Sequence, residues 1–328
     1  MATTVTTATR AELPDLNAPK SRSLWADALR RLRRNKAAMS GIVVVLAYIL
    51  IALFAPVLAP HNPVEQRRGI SLRPPVWVQT GNERTSGVPE HPLGTDTNGR
   101  DILSRLIYGT RVSLIVGVAP QLIILGLGVV VGLVAGFAGG WLDNLLMRVT
   151  EIVAAFPDLL FIITLTVAFR DTEFGKAFNG LLLIFVALAI VSWTGLARLV
   201  RGQVLSLKEK EFVEAARALG IPTHRILSRH ILPNTLAPII VFVSFSIPGL
   251  IISEAILTVL GVGMRPSVKA DNPFPTSLGV MLQDGFSNVN AGPWWLFFPV
   301  LAISVLVLAF TFVGDGLRDA LDPRDSGG

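Results

Sequence analysis

Apolar residues come in long unbroken blocks along this chain, not in the one-face or alternating patterns of a water-soluble fold. The first block, Gly41 to Ala59, runs without a charge. At about 1.5 Å per residue it is long enough to cross a hydrocarbon layer of about 30 Å. Five more blocks follow at about 112–138, 142–169, 181–199, 236–262 and 294–313. In lipid the backbone must satisfy its own hydrogen bonds, so the pattern predicts an all-α, polytopic membrane protein with six transmembrane helices. Signal-peptide apolar regions are shorter and lie nearer the N-terminus, so the first block reads as a retained span. Two blocks carry charge. The third holds Arg148, Glu151, Pro157 and Asp158, which places its first turns at an interface or against protein, and the fifth holds Glu254.

The segments between the blocks set the predicted organisation: a polar tail at 1–40, a first span at 41–60, a loop at 61–110, a five-span core at 111–316 and a tail at 317–328. Gly99 to Leu114 reads as a short amphipathic helix leading into the second span. Eight basic against three acidic residues in 1–40, and seven against three in 198–235, place both segments in the cytoplasm. The 263–292 loop, with two of each, falls outside, and an even number of spans returns the C-terminus to the cytoplasm. The 60–111 excursion has seven basic residues on the outer side, but it is long and nearly charge-balanced, which weakens its vote. With 51% hydrophobic and only 16% charged residues and a mean hydropathy of +0.58, a soluble enzyme is excluded. The absence of cysteine excludes disulfides, thiolate metal sites and a cysteine nucleophile.

Catalytic signatures are missing. There is no phosphate-binding loop of the Gly-x-x-x-x-Gly-Lys-Ser/Thr type, no His-Glu-x-x-His and no Gly-x-Ser-x-Gly elbow. His61 and His91 lie in the outer loop and His224 and His230 in the cytoplasmic segment, so all four cannot meet at one metal, and no metal ligand is assigned. Intramembrane carboxylates are functional candidates by default. Glu151 and Asp158 have a structural role available through Arg148, and Glu254 through hydrogen bonds across helices. Gly128, Gly132, Gly136 and Gly140 recur every four residues. On a helix they form one face that admits a neighbouring backbone, which is read as tight packing.

Segment 201–235 is the most informative. Lys208 to Leu219 predicts a helix with Phe212, Ala215, Ala216 and Leu219 on one apolar stripe. Gly220 follows where a left-handed C-cap is wanted. Pro222 suits the first turn of a second short helix that should end near Pro233. The product is a helical hairpin whose small face can enter another protein's groove. Taken alone, Glu214 could simply pair with Lys210 or Arg217, for about 0.3–0.5 kcal/mol.

Glu214-Ala215-Ala216, then Gly220, then His230-Ile231-Leu232-Pro233 after a nine-residue gap resemble the EAA loop of ABC-importer permeases. His230 stands where that pattern usually has an apolar residue. Further stretches resemble dipeptide/oligopeptide permeases of the C type: His91 to Asp96, Gly99-Arg100-Asp101, Ser104-Arg105, Gly109, Arg111 and Ser113-Leu114. Met147-Arg148 with Ala155-Phe156-Pro157, Glu254 with Leu257 to Gly263, Gly314-Asp315, Leu317-Arg318-Asp319 and Leu321 to Arg324 fit the same group. The likeness covers about 25–325, with Glu151 where an Asp is more familiar. Without it, Asp96 to Arg111 would read as an interfacial helix, and Asp315 to Arg324 as a solvated helix end with an Asp315/Arg318 pair.

The resemblance implies a type I ABC-importer permease fold in a prokaryotic plasma membrane, and a subunit without catalysis or a cofactor of its own. ATP and magnesium would sit on two partner ATPases. A homologous second permease and an extracytoplasmic solute-binding protein complete the implied assembly, with no role for nucleic acid. Glu214, Ala215, Ala216, Arg217, Gly220, His230, Leu232 and Pro233 would form the ATPase-coupling site, and di- or oligopeptides the cargo. No substrate-binding residue is nominated. The competing expectation is an ion-coupled transporter or channel using Glu254 and the third-span carboxylates.

Overall fold

A computed structural model describes residues 24–82, 85–269 and 272–322. Its helices are α1 (Leu24–Arg34), α2 (Lys36–Leu53), α3 (Ala55–Leu58), α4 (Ile102–Ala138), α5 (Gly140–Ala154), α6 (Asp158–Phe169), α7 (Glu173–Lys176), α8 (Leu181–Leu207), α9 (Glu211–Ala218), α10 (Thr223–Ile226), α11 (Leu232–Val259), α12 (Leu278–Ser287) and α13 (Trp294–Leu321). No strand occurs among the described residues beyond an isolated Thr95–Asp101 bridge. Five of the helices are long and apolar enough to span a membrane, and α5 with α6 makes a sixth candidate bent by 81°.

Capping chemistry moves several boundaries. The polar tail expected over 1–40 already contains α1 and the start of α2, because the Asn35 side chain accepts from the Ala38 N–H at 3.1 Å and opens a new helix there. The first span therefore runs Lys36–Leu53. It breaks at Phe54, where Pro56 cannot donate to the helical ladder. The separate lead-in helix expected over Gly99–Leu114 is absent. Asp101 accepts from the Ser104 N–H at 2.7 Å and caps one helix that runs unbroken to Ala138. Its 37 residues extend about 55 Å, well beyond a hydrocarbon core. At the other end of the chain, α13 continues past the expected boundary to Leu321. The Asp315/Arg318 pair is not among its described ion pairs. Pro323 and Arg324, part of the tail resemblance, and the Thr-rich head lie outside the described residues.

The contacts sort the chain into two ends. At one, Arg31 donates to the Asp322 carbonyl, Arg201 pairs with Asp143, and Lys208 reaches the Gly136 carbonyl. At the other, the His61 N–H meets Ser104, Arg105 meets Asp284, and the Arg265 N–H bonds to the Asn179 carbonyl. The pair α5/α6 starts beside Arg201 at the first end. It finishes near Arg265, whose guanidinium reaches the Arg170 carbonyl and Asp171 at the second. The bent pair thus runs from one end to the other, which gives six candidate spans among the described residues.

Tight packing holds the centre. Cβ atoms added at Gly128, Gly132 and Gly136 would lie 2.8, 2.6 and 2.7 Å from the Cβ atoms of Leu196, Val200 and Val204. These residues form one row on α8, and α8 and α4 meet backbone to side chain along it. Gly140 does not join the row. Gly139 and Gly140 both have positive φ and turn the chain out of α4 into α5. A second close contact brings α2 against α13, where a Cβ at Gly41 would sit 2.6 Å from the Ala309 carbonyl oxygen. Gly132→Leu should therefore destabilise the chain by about 1–3 kcal/mol or more. Gly126→Ala, with open space around it in the interior of α4, should be neutral or slightly stabilising. Thermal unfolding in a mild detergent reads both, and equal midpoints would contradict the packing account.

Candidate functional site

The hairpin after α8 is built on two faces. Val213 is fully buried and Ala216 is 4% exposed, packed in the main core with Val204, Ile226 and Ile231. Phe212 is 41% and Leu219 80% exposed, and Ala215 lies between them on the same open row. The single stripe expected through Phe212, Ala215, Ala216 and Leu219 is thus divided. Positions 213 and 216 form a neighbouring helical row that the bundle claims. Ala216 seats the helix on its own chain, while Phe212, Ala215 and Leu219 face away from it.

Glu214 is exposed, and the pair with Lys210 or Arg217 is not formed. Arg217 lies instead over the Phe137 ring at 5.1 Å, a cation–π contact to the end of α4. Gly220 adopts φ +72°. Its N–H bonds to the Arg217 carbonyl at 2.9 Å and the Ile221 N–H to that of Ala216 at 3.1 Å, a Schellman cap that closes α9. The second helix does not end near Pro233. From α10 the chain passes through a π turn at Leu227–Ile231 directly into α11, with Pro233 in its first turn, where a missing N–H is tolerated. Asn234 Nδ2 covers the His230 carbonyl at 2.6 Å. His230 and Leu232 are half-buried and Pro233 is exposed, so these three sit at the foot of α11, apart from the open row on α9.

Side chains outside the expected set anchor this end. Arg201 donates two bonds to Asp143, at 2.6 and 2.7 Å, and ties α8 to α5. Lys208 Nζ donates to the Gly136 carbonyl at 3.2 Å, a cation at the negative end of α4. Of these residues the sequence flagged only Gly136, in the glycine row, and Lys208, as the start of a helix. Val213 was legible only as the i−3 neighbour of Ala216.

At the opposite end the charged stretch Asp96 to Arg105 folds into a buried network. Asp96 Oδ2 accepts from both Arg100 and Arg105 at 2.6 Å, and Arg105 reaches Asp284 on α12 at 2.7 Å. Burial, with the Arg105 charge beside it, pushes Arg100 below its ordinary value, while Asp96 and Asp284 act in the other direction. The third-span carboxylates and Glu254 do not form one site. Glu151 pairs with Arg148 on an exposed surface at 3.0 Å, and Asp158 is exposed. Glu254 is fully buried and accepts from Thr258 and Ser277 at 2.9 and 2.7 Å, joining α11 to the cap of α12.

Residues 128–326 match the family described as binding-protein-dependent transport system inner membrane component. Residues 23–75 match the N-terminal transmembrane domain of oligopeptide transport permease C. The oligopeptide transport system permease OppC of Haemophilus influenzae is 39% identical, over 93% of this chain and 90% of the relative. The dipeptide transport system permease DppC of Bacillus subtilis is 41% identical, over 93% and 87%. The chain belongs to this permease family. Within it, the chain is a DppC/OppC-like membrane subunit of an ABC importer, a multi-pass inner-membrane component of a binding-protein-dependent transport system. An inward-facing MetNI methionine ABC transporter superposes with a TM-score of 0.54 at 18% identity, over 66% of this chain and 96% of that one, which shows the shared fold. Family membership supports the importer and gives nothing to the ion-coupled alternative.

In this permease the two faces of α9 should separate experimentally. Val213→Asp buries an unpaired charge and should release α9, making the chain cleavable by trypsin near Arg217 at least tenfold faster. Leu219→Asp changes a solvent-facing position and should leave cleavage as in the parent. Equal protection in both variants would contradict the two-face geometry.

Proposed function

We propose that this permease carries di- or oligopeptides, and that the open face of α9 is where a partner ATPase engages it. The cargo is suggested by the names of its relatives, an oligopeptide permease and a dipeptide permease that match along almost their whole length. The observation that carries the coupling reading is the division of α9. An exposed row of Phe212, Ala215 and Leu219, with the unpaired Glu214 beside it, stands on a helix locked to the bundle by Val213 and Ala216. Large apolar side chains that face away from the bundle on a charged hairpin are suited to a protein partner. Gly220, Arg217 and the His230–Pro233 segment set the hairpin's shape and attachment; they do not supply the docking surface.

In this reading the hairpin end is cytoplasmic, in line with the excess of lysine and arginine in 198–235, and the Asp284 end faces outward. ATP and Mg²⁺ bind the two ATPase subunits. Closure of those subunits pushes the hairpin, and Lys208, Arg217 and the Asp143–Arg201 pair pass the displacement to α4, α5 and α8. The cavity then opens outward and receives solute from the binding protein. Leu219→Asp and Glu214→Lys should each lower ATP-driven peptide uptake at least tenfold, with the chain inserted at parent levels. Proteoliposome uptake with the reconstituted importer measures this. Normal uptake by both variants would refute the docking face, and uptake driven by an ion gradient without ATP would favour a Glu254-based carrier.

A further inference from the structure

The outer loop brings together two histidines and a carboxylate that the permease function leaves without a task. His61 follows α3, His91 lies 30 residues on in the sequence, and Asp101 caps α4. Their ligand atoms all lie within 4.8 Å of one another. His91 Nδ1 and Asp101 Oδ1 are 2.9 Å apart, and His61 Nδ1 lies 3.9 Å from Asp101 Oδ2. The two imidazole rings pack with centroids 4.5 Å apart and planes tilted by 35°.

A plain structural role accounts for part of this. His91 can donate from Nδ1 to Asp101 and tie the loop to the head of α4. That leaves two features unexplained. His61 Nδ1 is buried and has no hydrogen-bond partner, which a folded protein rarely tolerates. Asp101 is 2% exposed, and its ion-pair partners among the described residues are the two imidazoles alone, with no lysine or arginine. The neighbouring Asp96, by contrast, takes two arginines. The α4 N-terminus offsets only part of a buried carboxylate's charge.

We propose that His61, His91 and Asp101 bind a divalent transition-metal cation of the Zn²⁺ class. Two imidazole nitrogens and one carboxylate oxygen are a donor set suited to zinc, with water completing the coordination. With metal–ligand distances of about 2.0–2.1 Å, neighbouring ligand atoms in a tetrahedral site sit about 3.3 Å apart. His91 Nδ1 lies 2.9 Å from Asp101 Oδ1, near that value, and His61 Nδ1 lies on the Oδ2 side of the same carboxylate, 3.9 Å away. On binding, the His91 proton moves from Nδ1 to Nε2, and the metal takes its place between Nδ1 and Asp101. The supporting shell is in position. The Ser104 N–H and Oγ–H both donate to Asp101 Oδ2 at 2.7 Å, and Ser104 Oγ accepts from the His61 N–H at 3.0 Å, so one hydroxyl fixes both a ligand and its neighbour's backbone. His91 also lines an open cleft on the loop surface, together with Arg67, Arg68, Arg73 and Glu90. The bound cation would staple the 60–101 excursion to the start of α4.

Purified full-length chain, washed with chelator in detergent–lipid micelles, tests the proposal by calorimetric titration with Zn²⁺ and by the visible absorption of added Co²⁺. One equivalent should bind per chain. His61→Gln should weaken binding by at least about 10- to 100-fold, while His224→Ala and His230→Ala leave it unchanged. Zn²⁺ should also raise the thermal unfolding midpoint of the parent but not that of His61→Gln. The parent titration stands by itself, since absence of a one-equivalent site overturns the proposal whatever the variants do. Undiminished binding by a folded His61→Gln chain overturns it as well.

Discussion

The close approach of α4 and α8 is the contact on which the rest of the structure depends. In lipid there is no hydrophobic drive between helices, so association rests on how nearly two surfaces meet. Gly128, Gly132 and Gly136 allow the Leu196–Val200–Val204 row to sit against bare backbone. That contact brings the ends of both helices into register. Lys208 can then reach the Gly136 carbonyl, Arg217 can cover Phe137, and Arg201 can hold Asp143. Lys208 and Arg217 tie the hairpin to α4, and the Arg201–Asp143 pair ties α8, from which the hairpin continues, to α5. A membrane subunit driven by its partners requires such an attachment.

The same logic explains why charge is concentrated at the two ends and kept out of the middle. Arg100, Arg105 and Asp96 are buried, yet each is paired, and with the half-exposed Asp284 they form a network that fixes α12 to the start of α4. Glu254 is enclosed within α11 and serves the cap of α12 through Ser277, whose Oγ also accepts from the Val280 N–H. The α12 segment is therefore pinned from two sides by polar contacts. The apolar surface left on α2, α4 and α6, including Leu50, Leu122 and Leu160, faces outward as lipid or a second permease requires.

Much of this was legible in the sequence because lipid imposes one rule on every span. Block length and charge bias predict six crossings, and the spaced pattern from Glu214 to Pro233 locates the hairpin. The positive-φ cap at Gly220 was equally legible, since few residues adopt that conformation. Four features escaped. The bend at Pro157 was not drawn, although that proline was flagged, because it was assigned to the interfacial first turns of a single span and not to a break between two helices. The continuous helix from Ile102 depends on the Asp101 cap, whose effect extends far beyond its own turn. The division of α9 was missed because one apolar stripe was assumed to meet one surface, whereas Val213 and Phe212 are adjacent in sequence and point to different partners. The meeting of His61, His91 and Asp101 is set by loop folding, which no spacing encodes.

The absence of cysteine from the chain offers the most direct test. A single Leu219→Cys substitution, combined with a single cysteine on the partner ATPase, should give a disulfide-linked permease–ATPase species in native membranes. Gly126→Cys, within the apolar membrane-spanning part of α4, should give none. A Leu219→Cys permease that transports normally and never cross-links to the ATPase, at any position along its surface, would contradict the account.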